Sequence, residues 1–134
     1  MILTDTSVLI RQYRSPDLKR YHLIRTIDPV VCGVTVAEMY AGTRTAAQHS
    51  GTTAILAFFG RIQFPEPLWE TVGHHSRVLL ANGLTVPFAD VMIATLAMDQ
   101  GLELWTYDTH FAANAAFNAG IGSLSGTALQ RSRL

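Results

Sequence analysis

A chain of 134 residues is enough for one ordinary domain and too short for two. Ten acidic side chains balance ten basic ones, and only 15% of residues are charged against 49% hydrophobic. That neutrality argues against a protein that grips duplex nucleic acid by electrostatics alone, and the low charge fraction points to a large interior or a surface hidden by a partner.

The single cysteine, Cys32, excludes an intrachain disulfide framework and a cysteine-based metal site. The opening MILTDTSVLI has no basic leader, and no apolar run is long enough to span a membrane. The sequence therefore reads as a soluble, cytoplasmic protein.

Residues 1–4 form a short apolar strand that ends at Asp5, with Thr6 and Ser7 able to cap a helix running through Val8, Leu9, Ile10 and Tyr13. Ser15-Pro16-Asp17 closes that helix and opens another over 17–27. Asp28-Pro29 signals a turn, and residues 30–34 read as a second, buried strand. Thr35 follows as an N-cap candidate with Glu38 three residues on, the spacing of a capping box; Glu38 is on these grounds either a cap or a site residue. This helix ends near Gly42.

Residues 43–51 are polar and ambiguous, whereas 52–59 carry Ile55, Leu56, Phe58 and Phe59 in adjacent pairs. Such pairing suits a helix with one face on a sheet and another against a second chain. A third strand is expected over 62–64 and a longer helix over 66–81. His74 and His75 stand in its middle; adjacent histidines do not share a helix face, so they make a poor chelating pair and read as half-exposed surface residues.

The stretch 86–111 organises the chain. Pro87 suits a helix start, residues 88–98 are apolar except for Asp90, Gly101 breaks the pattern, and 102–105 read as a strand with Asp108 just beyond it. A carboxylate at the mouth of a helix covered on most sides gains about 0.3–1 kcal/mol from the helix N-terminus, while its burial costs several kcal/mol. Asp90 therefore either decorates the first turn or faces a cation, a metal or water. An alanine-rich helix over 112–119, an edge strand over 121–124 and a weakly patterned tail complete the chain.

Short apolar strands separated by helices imply a three-layer α/β/α domain with a mainly parallel sheet, spanning residues 1–134 as one unit. In such a sheet all carboxyl ends share one edge, so Asp5, Glu38 and Asp108 converge there, and Asp90 joins them if its helix begins on that edge. Two like charges at 4 Å repel by roughly 4 kcal/mol at an effective dielectric of 20. A cluster of four must hold protons or bind cations, and oxygen-only ligation points to magnesium or manganese rather than zinc. A phosphoacceptor domain would need a lysine at the site, and Lys19 is badly placed for that. An aspartyl phosphohydrolase typically carries a second aspartate where this chain has Ser7, and no GxxxxGK loop is present.

With MILTDTSVLI around Asp5, VTVAEMYAG around Glu38, VPFADVMIATLA around Asp90 and LELWTYDTHF around Asp108, the chain resembles PIN-domain proteins, and among them the VapC-type toxin ribonucleases. The resemblance covers essentially residues 1–124. It implies that Asp5, Glu38, Asp90 and Asp108 are catalytic residues that bind Mg or Mn and promote hydrolysis of RNA, with Thr6, Ser7 and Thr106 in support. The family often has asparagine where this chain has Ser7. Similar proteins commonly dimerise and are neutralised by a cognate antitoxin whose C-terminal segment wraps the toxin and can place an arginine in the acidic pocket. Leu18, Tyr21, Tyr40, Leu56, Phe58 and Phe59 are expected to include residues lining a groove for that segment. Two other readings stay open: a housekeeping nuclease that processes RNA or DNA, and a noncatalytic module that docks a basic partner peptide.

Overall fold

The computed structural model describes residues 1–108. The chain alternates β1 (Ile2–Thr4), α1 (Thr6–Arg14), α2 (Leu18–Thr26), β2 (Pro29–Cys32), α3 (Gly33–Ala41), α4 (Ala46–Leu56), β3 (Gly60–Ile62), α5 (Leu68–Ala81), α6 (Phe88–Gln100) and β4 (Glu103–Trp105). The strands form one parallel sheet in the order β3-β2-β1-β4, with Leu3 opposite both Val30 and Leu104. This is the expected α/β/α architecture. The expected helix over 112–119, the edge strand over 121–124 and the tail lie outside the described residues.

Side chains alternate across a strand, and here the alternation sorts the core into two halves. Leu3, Val30, Cys32 and Leu104 point to one face, where they meet Leu68, Val72 and Leu79 of α5 and the apolar residues of α6. Val31 and Trp105 point to the other, against Val8 and Leu9 of α1, Ile24 of α2, Met39 of α3, and Leu56 and Phe59 at the end of α4 and beyond. α6 is buried on nearly every side, as its unbroken apolar run demands. It stops at Gly101, whose φ of 61° is the left-handed conformation glycine adopts without strain, and the N–H of Leu102 donates back to Ala97 O at 2.8 Å. That turn sends the chain directly into β4.

Several local expectations are corrected. The second strand ends at Cys32 and α3 begins at Gly33, so Thr35 lies inside the helix and no capping box forms. Thr35 Oγ1 instead donates to Thr4 O at 3.4 Å, and Glu38 is engaged by Thr6. The cap of α1 is Asp5 itself, which accepts from the N–H of Ser7, rather than Thr6 or Ser7. Residues 46–51, polar and without clear pattern, belong to α4 because Thr45 caps it by accepting from Gln48 N. The third strand is 60–62 rather than 62–64. His75 is buried and shares a 2.9 Å hydrogen bond with Thr95 of α6, while only His74 is on the surface. Leu56 and Phe59 are core residues, whereas Leu18 and Phe58 are exposed.

Candidate functional site

The strand order places β1 beside β2 on one side and β4 on the other. The chain leaves β1 through α1, on one face of the sheet, and enters β4 from α6, on the opposite face. The carboxyl ends of β1 and β4 therefore flank a crevice of the kind in which open α/β sheets bind ligands. Asp5 follows β1 and Asp108 follows β4, and the Asp5 N–H donates to Trp105 O at 3.0 Å, extending the ladder to the crevice floor.

A compact hydrogen-bond network ties the two strand ends together. Asp5 Oδ2 accepts from Ser7 Oγ at 2.7 Å, from Thr106 Oγ1 at 2.9 Å and from the Ser7 N–H at 3.3 Å. Ser7 Oγ in turn accepts from the Tyr107 N–H at 3.0 Å, and Thr106 Oγ1 from the Asp108 N–H at 2.9 Å. A hydroxyl has one proton to give, and both spend it on the carboxylate, so the 3.3 Å Ser7–Thr106 separation is a contact between two acceptors. Asp5 thus fixes the backbone that carries Asp108 through two relay hydroxyls. Thr106 is fully buried, and hydrogen bonds to a charged acceptor are worth about 1.5–3 kcal/mol each, so this network holds the strand end firmly.

All three bonds to Asp5 fall on Oδ2; among the described residues none reaches Oδ1. Glu38 is held in a similar way, its Oε1 accepting from Thr6 Oγ1 at 2.9 Å. Thr6 directly follows Asp5, so Glu38 is tied to the start of α1 from the facing helix α3. Asp90 is buried in the first turn of α6. A helix that ends one tight turn before β4 and packs along it runs back from the carboxyl edge, so its first turn is carried toward that edge.

The donor set is oxygen only, which fits a hard divalent cation. Among the described residues no three His, Cys, Asp or Glu side chains stand close enough to form a ready-made shell. Magnesium does not require one, because it usually keeps several waters and is held by one or two carboxylates together with substrate phosphates. Sequence reasoning named the acids and their hydroxyl partners but missed Tyr107, whose backbone is part of the network, and Thr35, which joins α3 to the end of β1. Ser7 and Arg11 lie one turn apart on α1 and both meet Tyr107, a contact that exists only in the folded chain.

The family model for the PIN domain matches residues 2–116. The chain belongs to the PIN-domain family. No curated protein sequence matches it. Among solved structures, this PIN domain is similar to the VapBC2 complex of Rickettsia felis bound to a DNA fragment from its promoter, with a TM-score of 0.76 at 17% identity over 98% of this chain and 99% of that one. It is similar also to VapBC-1 of nontypeable Haemophilus influenzae, with a TM-score of 0.71 at 16% identity over 98% and 97% of the two chains. VapBC-5 of Mycobacterium tuberculosis, a member of the VapBC family of toxin–antitoxin systems, gives a TM-score of 0.66 at 20% identity over 98% and 97%. Identities this low speak for the PIN fold alone. No helix among the described residues of this PIN domain is long and apolar enough to cross a membrane.

Proposed function

We propose that this PIN-domain protein is a metal-dependent endoribonuclease, the toxin of a toxin–antitoxin pair. The observation that carries the reading is the network in which Asp5, through Ser7 and Thr106, fixes the strand end bearing Asp108, while Thr6 holds Glu38 beside the same helix start. Asp5, Glu38, Asp90 and Asp108 would hold Mg or Mn. Such an ion, when bound, supplies the positive charge that phosphodiester hydrolysis needs at its transition state.

The chain's own residues set up that chemistry. Thr106, Ser7 and the Ser7 N–H all engage Oδ2 of Asp5, which restrains the carboxylate. Thr6 restrains Glu38 through Oε1. Carboxylates restrained in this way lose little rotamer freedom when a ligand arrives, which is the gain from preorganisation.

A partner protein belongs to the same reading. Ile10, Tyr13 and Met39 border a cleft on whose wall Glu38 also lies, and Tyr21 and Phe58 line a second groove across Tyr13. An antitoxin segment lying along these apolar surfaces could place an arginine against Glu38 and compete with metal by a charge-assisted contact. A homodimer is supported by the apolar side chains exposed on the other side of the sheet, Trp69, Leu80 and Phe88.

The test is cleavage of RNA by the purified protein with manganese or magnesium and with EDTA. Metal-dependent cleavage abolished by Asp5→Asn supports the reading. RNA left intact by a folded, metal-loaded protein overturns it and leaves a docking module in its place.

A further inference from the structure

Half of the chain's lysines and arginines, Arg11, Arg14, Lys19, Arg20 and Arg25, fall within residues 11–25, where Asp17 is the only acid. Asp17 is occupied as the cap of α2, accepting from the Arg20 N–H at 2.8 Å. A chain neutral as a whole therefore concentrates half of its positive charge in one stretch. That place contains a cleft of about 390 Å³ lined by Arg11, Asp17, Lys19, Arg20, Leu23 and Tyr107.

The two arginines in the cleft are held differently. Arg20 is spent on the protein: Nη1 donates to Gln12 Oε1 at 2.8 Å and to Ser15 O at 3.1 Å, and Nε donates to the Tyr107 hydroxyl at 3.4 Å. Arg11 stands over the Tyr107 ring, its Cζ 4.0 Å from the ring centroid, and among the described residues its guanidinium donates no hydrogen bond. It is a cation positioned by stacking, with its N–H groups still to be used. Its distance from the carboxylates is set by α1. Ser7, which donates to Asp5, lies about one turn before Arg11, roughly 6 Å along the helix axis.

We propose that this cleft binds single-stranded RNA next to the carboxylate crevice, with Arg11 and Lys19 on backbone phosphates and an unpaired base stacked on the Arg11–Tyr107 pair. The inference rests on the nuclease reading and names how the substrate is held. Four carboxylates repel a polyanion, so the strand must be gripped by cations close to them. A planar guanidinium backed by an aromatic ring takes a base only when that base is unstacked, which selects single strands over duplexes.

The experiment is fluorescence anisotropy of a labelled single-stranded RNA oligonucleotide in EDTA, where no metal-dependent cleavage intervenes, over a range of salt. Arg11→Ala is expected to weaken binding about tenfold and to lower the salt slope by about 0.7, the contribution of one phosphate on a single strand. Arg11→Lys should keep the slope and lose a smaller factor. Arg77→Ala, on α5, should bind as the wild type does.

If Arg11→Ala binds RNA unchanged while the wild type still cleaves it with manganese, the cleft assignment is wrong and the nuclease reading stands. If the wild type neither binds nor cleaves RNA, both fall. Duplex RNA bound as tightly as single-stranded RNA overturns the stacked base. Normal RNA binding by Arg11→Ala, with loss of a copurifying protein, would assign the cleft to a protein contact instead.

Discussion

The two faces of the sheet are built on opposite principles. On the α5/α6 face a mostly apolar helix fills the space against the sheet, and two of its polar residues are buried: Thr95 pairs with His75 and Asp90 lies in the first turn. On the α1–α4 face the helices are amphipathic or polar, and tyrosines and arginines stand half in solvent. Leu18 and Phe58 are 76% and 44% exposed there, and the chain's cations gather on α1 and α2. The first face provides rigidity. The second holds one wall of the crevice, the basic cleft and the apolar grooves, while the first presents to solvent the apolar Trp69, Leu80 and Phe88.

Breaking the seam between the faces should have the largest effect. Asp5→Asn keeps an oxygen that can cap α1 and accept the two hydroxyls but removes the charge. Cleavage should fall by at least about a hundredfold, roughly 3 kcal/mol of barrier, in a protein that still folds but with a lowered thermal unfolding midpoint, because three hydrogen bonds lose their charged acceptor. An Asn variant that cuts RNA at the wild-type rate would place the activity elsewhere.

Next in size is a contrast between the faces themselves. Leu96, fully buried in α6, should cost about 2–5 kcal/mol as Leu96→Ala, whereas Leu18→Ala on α2 should stay within about 0.5 kcal/mol. Urea denaturation of the two variants would measure the difference. Comparable losses would mean that the exposed face contributes to stability as much as the core.

Thr106→Val removes the relay between Asp5 and the Asp108 N–H while keeping the side-chain shape. A stability loss of about 1–3 kcal/mol is expected, together with a drop in cleavage of about 10–100-fold, since Asp108 loses its support. A fall in stability with full activity would show that Asp108 needs no such positioning.

A further contrast is pH dependence, which the α5/α6 face should supply. Burial, and then the charge of neighbouring His74, hold His75 below its ordinary value of 6.5. The unfolded chain therefore takes up this proton first as pH falls, so the contribution is complete above about pH 6.5 and declines below it. Urea midpoints measured from pH 7.5 to 5 should fall on the acid side, and His75→Gln should flatten that fall. A wild-type midpoint that rises toward pH 5 would contradict the assignment.

The legibility of the chain follows the same division. α6 and β4 were readable to within two residues, because an apolar run ended by Gly101 leaves few alternatives for burial. The start of α4 was not readable, because AAQHSG carries no periodic face and its helix is defined by the Thr45 cap. The capping box at Thr35 and Glu38 failed for a different reason. The spacing was correct, but α3 begins three residues earlier, directly after β2, and both side chains found partners on β1 and α1 that lie close only in the folded chain.

What the sequence by itself determined was the order of the layers and where along the chain the four acids stand. Asp5 and Asp108 follow strand ends, Asp90 lies in a first helical turn and Glu38 one turn into α3, and apolar runs separated by helices allow little other than a parallel sheet. Only the tertiary structure decided how those acids are held. The Asp5, Ser7 and Thr106 network joins residues about a hundred positions apart, and the stacking of Arg11 on Tyr107 depends on the same union of β1 and β4. Periodicity and capping rules act within a few residues, where side chain and backbone are already neighbours. A hydrogen bond between two strand ends exists only once the sheet has brought its carboxyl edges into register.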